Sequence, residues 1–142
     1  MVCLPTGQVM FTDFSSSVQI YTPSGTYQPA WQPAVTSVAS TLTHGVNNNL
    51  ITGTQFNGLS QCAYYGDDNQ SATNWPLVRI TNSTTGKVVY ARTHNFSTMG
   101  VATGAKLVSA KFDIPATIGL GASTLEVVAN GIPSAAVTVT ID

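Results

Sequence analysis

The sequence predicts an all-β sandwich, and three observations lead to that prediction. Short runs rich in valine, isoleucine, threonine and tyrosine recur at intervals of about 8 to 12 residues, with glycine, proline and asparagine between them. No stretch has the apolar period of an amphipathic helix. Several runs alternate apolar and polar residues, which is typical of sheets with one buried and one hydrated face. The predicted strands cover residues 8–12, 18–22, 35–38, 49–54, 63–66, 77–81, 87–92, 106–113, 124–129 and 135–141.

Composition narrows the classes of function. The chain has 142 residues, which fits one domain with a small appendage. Only 8% of the residues are charged and the net charge is −1, so there is no basic patch of the kind that nucleic acid requires. No apolar run reaches the length of about 18 residues that a membrane helix needs. The first residues lack a basic segment followed by an apolar segment, so no signal peptide is predicted.

The first 28 residues predict a β-hairpin and a linker. The β-rich runs at residues 8–12 and 18–22 flank a polar turn at residues 13–17. Prolines at positions 23, 29 and 33 deny ladder hydrogen bonds to the segment that follows. We therefore predict two units, a hairpin with its linker at residues 1–28 and a β-sandwich at residues 29–142.

The predicted sandwich is organised around residues 74–104. Two apolar strands, at residues 77–81 and 87–92, are joined by a polar turn and followed by a loop that carries His94. Trp75, next to Pro76 at a strand start, is typical of a core residue. Near the chain end, Asn130 and Gly131 provide a strong turn signal between the last two strands.

The two cysteines, Cys3 and Cys62, form no disulfide framework by themselves. We interpret them as two free, semi-buried small apolar residues. The alternative is one disulfide that ties the N-terminal segment to the sandwich.

Three pieces of sequence, taken together, resemble one family. Residues 33–38 (PAVTSV) and 50–56 (LITGTQF) resemble the opening of immunoglobulin-like early-set domains. Residues 77–79 (LVR) and 91–97 (ARTHNFS) resemble the C-terminal domain of galactose oxidase-like proteins. The resemblance implies an immunoglobulin-like (early-set) antiparallel β-sandwich.

The N-terminal residues resemble the end of a kelch-type propeller. Residues 4–11 (LPTGQVMF) and 18–23 (VQIYTP) look like the last hairpin of its final blade. In the copper oxidases of this family, a sandwich histidine reaches into the propeller and binds copper, and the matching position is His94. The remaining copper ligands of that family belong to propeller blades that are not in this sequence. The run after His94, residues 96–100, also departs from the acidic-Gln-Arg run of the copper oxidases, so neither a cofactor nor a resident metal is predicted.

Catalytic residues are not predicted anywhere in the sequence. Serines are abundant, but no Gly-x-Ser-x-Gly elbow accompanies them. Glu126 lies among apolar strand residues and is expected to face solvent. His94 is interpreted as a loop histidine that hydrogen-bonds to the backbone, because one imidazole does not make a metal site. Asp67 and Asp68 offer oxygen ligands for calcium but lack a known spacing, so a solvated turn is the preferred interpretation.

The leading hypothesis is a non-catalytic interaction module. An isolated hairpin is marginal in water, so this one is expected to pack against a second copy or a propeller-like partner. The residues expected at that interface are Val9, Phe11, Val18, Ile20 and Tyr21.

Two other hypotheses stay open. One is an extracellular carbohydrate-binding module that stacks sugar rings on Trp31, Tyr64, Tyr65 and Trp75. The other is a remnant domain of a copper radical oxidase. The uncharged hydroxyl- and amide-rich composition and the family resemblance both favour an extracellular parent protein.

Overall fold

A computed structural model describes residues 1–61 and 74–142 of the chain, and the regular secondary structure within these ranges consists almost entirely of β-strands. One 3₁₀ turn, Pro29–Trp31, is the helical element there. No helix in the described part is long and apolar enough to cross a membrane. The strands are β1 (Val2–Cys3), β2 (Val9–Phe11), β3 (Gln19–Tyr21), β4 (Ala34–Val38), β5 (Thr41–Leu42), β6 (Asn49–Thr54), β7 (Leu77–Asn82), β8 (Val88–His94), β9 (Val108–Asp113), β10 (Gly121–Ala129), β11 (Ile132–Pro133) and β12 (Val137–Ile141).

Two sheets form the body of the protein, and β8 belongs to both. One sheet has the order β4-β6-β9, and the other has the order β7-β10-β12-β5. Residues 88–91 of β8 pair with β7, whereas residues 92–94 pair with β9. β8 therefore leaves one sheet and enters the other at the middle of its length.

The pairing pattern is that of an immunoglobulin-like β-sandwich. β5 pairs in parallel with β12 through Thr41 and Leu42, and every other ladder among the described residues is antiparallel. The β4–β6 register shifts between Val35 and Ser37, which marks a bulge at the sheet edge. The predicted all-β, immunoglobulin-like fold class is confirmed.

The core lies between the two sheets and comes from alternate strand residues. In β9, for example, Val108, Ala110 and Phe112 are buried while the residues between them are half-buried. β7 contributes in the same alternating way, and so does β10 as far as Val127, since successive side chains of a strand point to opposite faces. Val128 and Ala129, at the end of β10, are buried as well. The largest fully buried side chains are those of Phe56, Phe112, Leu42, Ile51, Ile80, Ile114, Leu125, Ile141, Val78, Val127, Val128 and Val139.

The N-terminal residues form a three-stranded sheet rather than the predicted two-stranded hairpin. We call β1, β2 and β3 the N-terminal sheet. β1 adds to the edge of β2, with Val2 opposite Met10 and Cys3 opposite Val9. None of the residues in these three strands is buried.

The N-terminal sheet is held against the sandwich at a pair of glycines. Gly131, in the turn between β10 and β11, has a φ of +76°, and a Cβ added there would lie 2.6 Å from the Cα of Gly7. The same added atom would lie 2.9 Å from the carbonyl oxygen of Leu4. The two turns are therefore in direct backbone contact, and the contact requires glycine at position 131.

Candidate functional site

The N-terminal sheet presents large apolar side chains to solvent. Phe11 and Ile20 are exposed, and Tyr21 is 62% exposed. Residue Val9 is half-buried, and Val18, just before β3, is exposed. All five residues of the predicted interface thus lie on or beside the N-terminal sheet, and none of their side chains is fully buried.

The strand register divides those five residues between two faces of the sheet. Val9 lies opposite Tyr21, and Phe11 lies opposite Gln19, so these side chains share one face. Ile20 lies opposite Met10 and therefore points to the other face, as Val18 would by alternation. A shallow groove of about 390 Å³ runs over this region, lined by Met1, Val9, Phe11, Gln19, Ile20 and Tyr21.

Phe14, at the tip of the β2–β3 turn, is an exposed aromatic residue that the sequence reasoning missed. Its side chain is 86% exposed and its φ is +68°. A bulky side chain seldom adopts that backbone conformation. The turn is fixed by hydrogen bonds from the Ser15 amide to Asp13 and from the Ser17 amide to the Ser15 hydroxyl. The only signal in the sequence was an aromatic residue within a turn that is otherwise polar.

A cleft of about 520 Å³ separates the N-terminal sheet and linker from the sandwich. We call it the junction cleft. It is lined by residues 5–8, residues 22–27, Trp31, Arg79 and residues 130–133. Trp31 and Tyr27 are each 41% exposed there.

Arg79 reaches the junction cleft as part of an ion pair across two strands. Its Nη2 lies 2.6 Å from Oε2 of Glu126, and its Nε donates a hydrogen bond of 2.8 Å to the same oxygen. Partial burial alone would lower the pKa of Arg79, but the hydrogen bond and charge of Glu126 outweigh it and raise the pKa. Tyr90 makes a smaller contribution in the same direction. Glu126 lies on the outer face of its sheet, but its side chain is only 16% exposed, because β7 lies beside β10 and supplies an arginine directly opposite.

Trp75 lies far from full burial, contrary to the predicted core position. It is 49% exposed, and its ring meets that of Phe96 edge-on with 4.8 Å between the ring centroids. Trp75 lines two other cavities and not the junction cleft, in which Trp31 lies. Tyr64 and Tyr65, the other stacking candidates, lie outside the described residues, as do Asp67 and Asp68.

His94 lies at the end of β8 rather than in a loop, and its main partner is a carboxylate rather than the backbone. Its Nε2 is 2.9 Å from Oδ1 of Asp113, and its Nδ1 is 3.1 Å from Oδ1 of Asn95. Two oxygen acceptors facing both ring nitrogens suit the protonated imidazolium, which donates from both. The hydrogen bonds to Asp113 and Asn95 raise the pKa of His94.

This arrangement does not fit a copper site at His94. A metal ligand needs a free lone pair on a ring nitrogen, and both nitrogens of His94 already face acceptors. In the described part of the chain, no three His, Cys, Asp or Glu residues group closely enough to hold a metal ion. His44 lies elsewhere, with its Nδ1 2.8 Å from the carbonyl oxygen of Asp142. The pairing of Cys3 with Cys62 involves a residue outside the described ranges.

The His94–Asp113 pair gives the sandwich a pH-dependent stability. The pKa of Asp113 is lowered by the Asn48 amide and by His94, so its contribution is present above pH 3.8 and is lost as pH falls through the lower folded value. The pKa of His94 is raised, so its contribution is complete below pH 6.5 and is lost as pH rises through the folded value. We expect the free energy of unfolding to fall between about pH 5.5 and pH 8.

Denaturant unfolding at those two pH values measures this effect. The His94→Gln variant should show a smaller decrease than the parent chain. His44→Gln, which leaves the His94–Asp113 pair intact, is the matched control for the replacement of a histidine by glutamine. An equal decrease in the parent and in His94→Gln would contradict the assignment.

Comparison with known proteins finds a likeness among solved structures and no matching family or curated protein. No protein-family profile matches the chain. No curated protein matches it. Among solved structures, the crystal structure of the Lin-41 filamin domain aligns over 80% of this chain and 94% of that one, with 15% sequence identity and a TM-score of 0.41. The fold class stated above follows from the strand order and the pairing, and the galactose oxidase-like resemblance stays a prediction.

Proposed function

We propose that the protein is a non-catalytic interaction module that self-associates through its N-terminal sheet. One observation supports this most strongly. No residue in the three strands is buried, although the sheet carries Phe11, Ile20 and Tyr21. A three-stranded sheet gains its stability from an apolar face that packs against another surface, and within one copy of the chain only part of this sheet lies against the sandwich.

In this proposal, residues 1–28 form one unit, the N-terminal sheet with its linker, and residues 29–142 form the β-sandwich. The N-terminal sheet ends at Tyr21, and the first strand of the sandwich starts at Ala34, which is consistent with a linker between them. In this arrangement, the sandwich provides the stable body and the N-terminal sheet provides the contact surface.

A second copy of this chain is the partner that the composition favours. Asp13 is the only charged side chain in residues 1–34, so this surface offers no charge pattern for a charged partner to match. An uncharged apolar face suits a two-fold contact, in which the same patch occurs on both sides. The outer edge of β3 has no lysine, proline or bulge to prevent another strand from pairing with it.

Within this interface, Val9, Phe11 and Tyr21 provide the shared apolar face. Ile20 and Val18 lie on the opposite side of the sheet and contribute where the partner copy wraps around its edge. Phe14 projects from the turn at the end of the same sheet. Aromatic residues of this kind commonly carry most of the binding energy of an interface.

Replacing Phe11 and Tyr21 together with serine is expected to weaken self-association at least about tenfold. Both side chains are exposed, so the substitutions should leave the sandwich folded. Sedimentation velocity and light scattering over a range of concentrations measure the dissociation constant, and circular dichroism checks the fold.

The matched control replaces Leu50 and Leu120, two exposed leucines of the sandwich, with serine. This control removes a comparable apolar area elsewhere and should associate as the parent does. A parent chain that stays monomeric at the highest soluble concentration would refute the proposal, and so would equal weakening by the control.

A further inference from the structure

We infer that the junction cleft is a binding site for a neutral saccharide. This inference does not depend on self-association, because the junction cleft and the apolar groove of the N-terminal sheet have no lining residue in common. Its volume of about 520 Å³ falls within the range of small-molecule sites, and it lies at a junction between two units, where such sites often occur.

The Tyr27 side chain and the backbone on both sides of Trp31 are held by hydrogen bonds before any ligand arrives. The side-chain amide of Gln32 donates hydrogen bonds to the Tyr27 hydroxyl, at 3.3 Å, and to the carbonyl oxygen of Pro133, at 3.0 Å. The side-chain amide of Gln55 donates to the carbonyl oxygens of Ala30 and Gln32, on either side of Trp31. The Tyr27 hydroxyl and the backbone that carries Trp31 are thus tied to the sandwich, which reduces the entropy lost when a ligand binds.

The polar lining consists of hydroxyl and amide groups. The Thr6 hydroxyl donates to Gln8, and the Gln8 amide donates to the Thr22 hydroxyl at 3.0 Å. A hydroxyl oxygen has two lone pairs and an amide nitrogen has two hydrogens, so each group can form a further hydrogen bond with a ligand. Sugars combine alternating hydroxyl groups with a C–H face that stacks on an aromatic ring, and the cleft offers partners for both.

The charge balance of the cleft favours a neutral ligand. Arg79 is the only charged residue among the described ones that line it, and Glu126 lies 2.6 Å from its guanidinium group. A phosphate or carboxylate would have to compete with Glu126 for that cation. A purely apolar ligand would leave the threonine and glutamine groups without water or a partner, which costs free energy.

Titration of the full chain with cellobiose, lactose, xylobiose, mannobiose and chitobiose, followed by tryptophan fluorescence and calorimetry, tests the inference. We expect at least one of these neutral disaccharides to bind, and Trp31→Ala to weaken that binding about tenfold or more. Trp75→Ala is the matched control, because it removes an equally exposed indole outside the cleft and should bind as the parent does. Thr22→Val should weaken binding as well, without removing an aromatic ring.

Three results would overturn the inference. The first is that none of the disaccharides binds. The second is that Trp31→Ala and Trp75→Ala lose binding equally. The third is that sialyllactose binds while lactose, its neutral counterpart, and the other neutral sugars do not. The Phe11→Ser, Tyr21→Ser double variant should bind the disaccharide as the parent does, which separates this test from the test of self-association.

Discussion

Phe112→Ala is expected to lower the free energy of unfolding by about 3–5 kcal/mol. Phe112 is completely buried in β9, between its ladder partners Asn49 and Thr93. The substitution removes a large apolar side chain from the contact between the two sheets and leaves a cavity that strands on both sides cannot fill by small movements. Because domains of this size are stable by only about 5–15 kcal/mol, a large part of the stability would be lost.

Urea unfolding measures this loss as a lower transition midpoint with an unchanged slope. Leu107→Ala is the control, since Leu107 lies one position before β9 and is 65% exposed. Its effect should stay within about 0.5 kcal/mol. A loss in Phe112→Ala no larger than in this control would contradict the packing described for the core.

Gly53→Ala is expected to cost about 3 kcal/mol, although it adds only one methyl group. The added Cβ would overlap the carbonyl oxygen of Ala34 in β4 and lie 2.5 Å from Cε1 of the buried Phe56 ring. A flexible side chain could move away, but a backbone carbonyl in a paired strand and a buried aromatic ring cannot do so without disturbing the sheet edge. Thermal unfolding should show a clearly lower midpoint.

Gly119→Ala is the matched control for this substitution. The nearest atom to a Cβ added at Gly119 is Nδ2 of Asn82, at 3.6 Å, which is an ordinary contact distance. Its midpoint should stay close to that of the parent chain. If both variants unfold at the same temperature, the close approach of β4 to Gly53 is not as described.

The sequence predicts the strands of the sandwich most accurately where apolar and polar residues alternate over several positions. β6 was predicted with the bounds that the structure has, and β7 and β9 were predicted within two residues at each end. β1, β5 and β11 were missed because each has two residues, too few to show a period of two. These short strands form because another strand lies beside each of them, namely β2, β12 and β10 respectively. A local sequence pattern does not indicate which strands lie side by side.

The same limit explains the errors at the candidate sites. Arg79 and Glu126 each lie between apolar residues, and their pairing depends on β7 lying beside β10. The sequence predicts a loop at His94, but β8 extends to this residue, and its partner Asp113 lies on β9, which the local pattern does not indicate. Trp75 follows the local preference for a buried aromatic, yet the fold leaves it at the surface. The five interface residues could be identified because an isolated hairpin is expected to expose its apolar side chains. Their division between the two faces of the N-terminal sheet depends on the β2–β3 register, which the sequence alone does not give.

The passage of β8 from one sheet to the other affects how the sandwich unfolds. The first half of β8 is hydrogen-bonded to β7 in one sheet, and the second half is hydrogen-bonded to β9 in the other. Neither sheet can therefore separate from the other while β8 remains paired with both. The sandwich should therefore be lost in one cooperative step, with both layers melting together. β8 pairs with its neighbours in sequence, β7 and β9, but the ladders on either side of them join strands that are distant in sequence, as β6 with β9 and β7 with β10. These long-range ladders are a reason to expect slow folding.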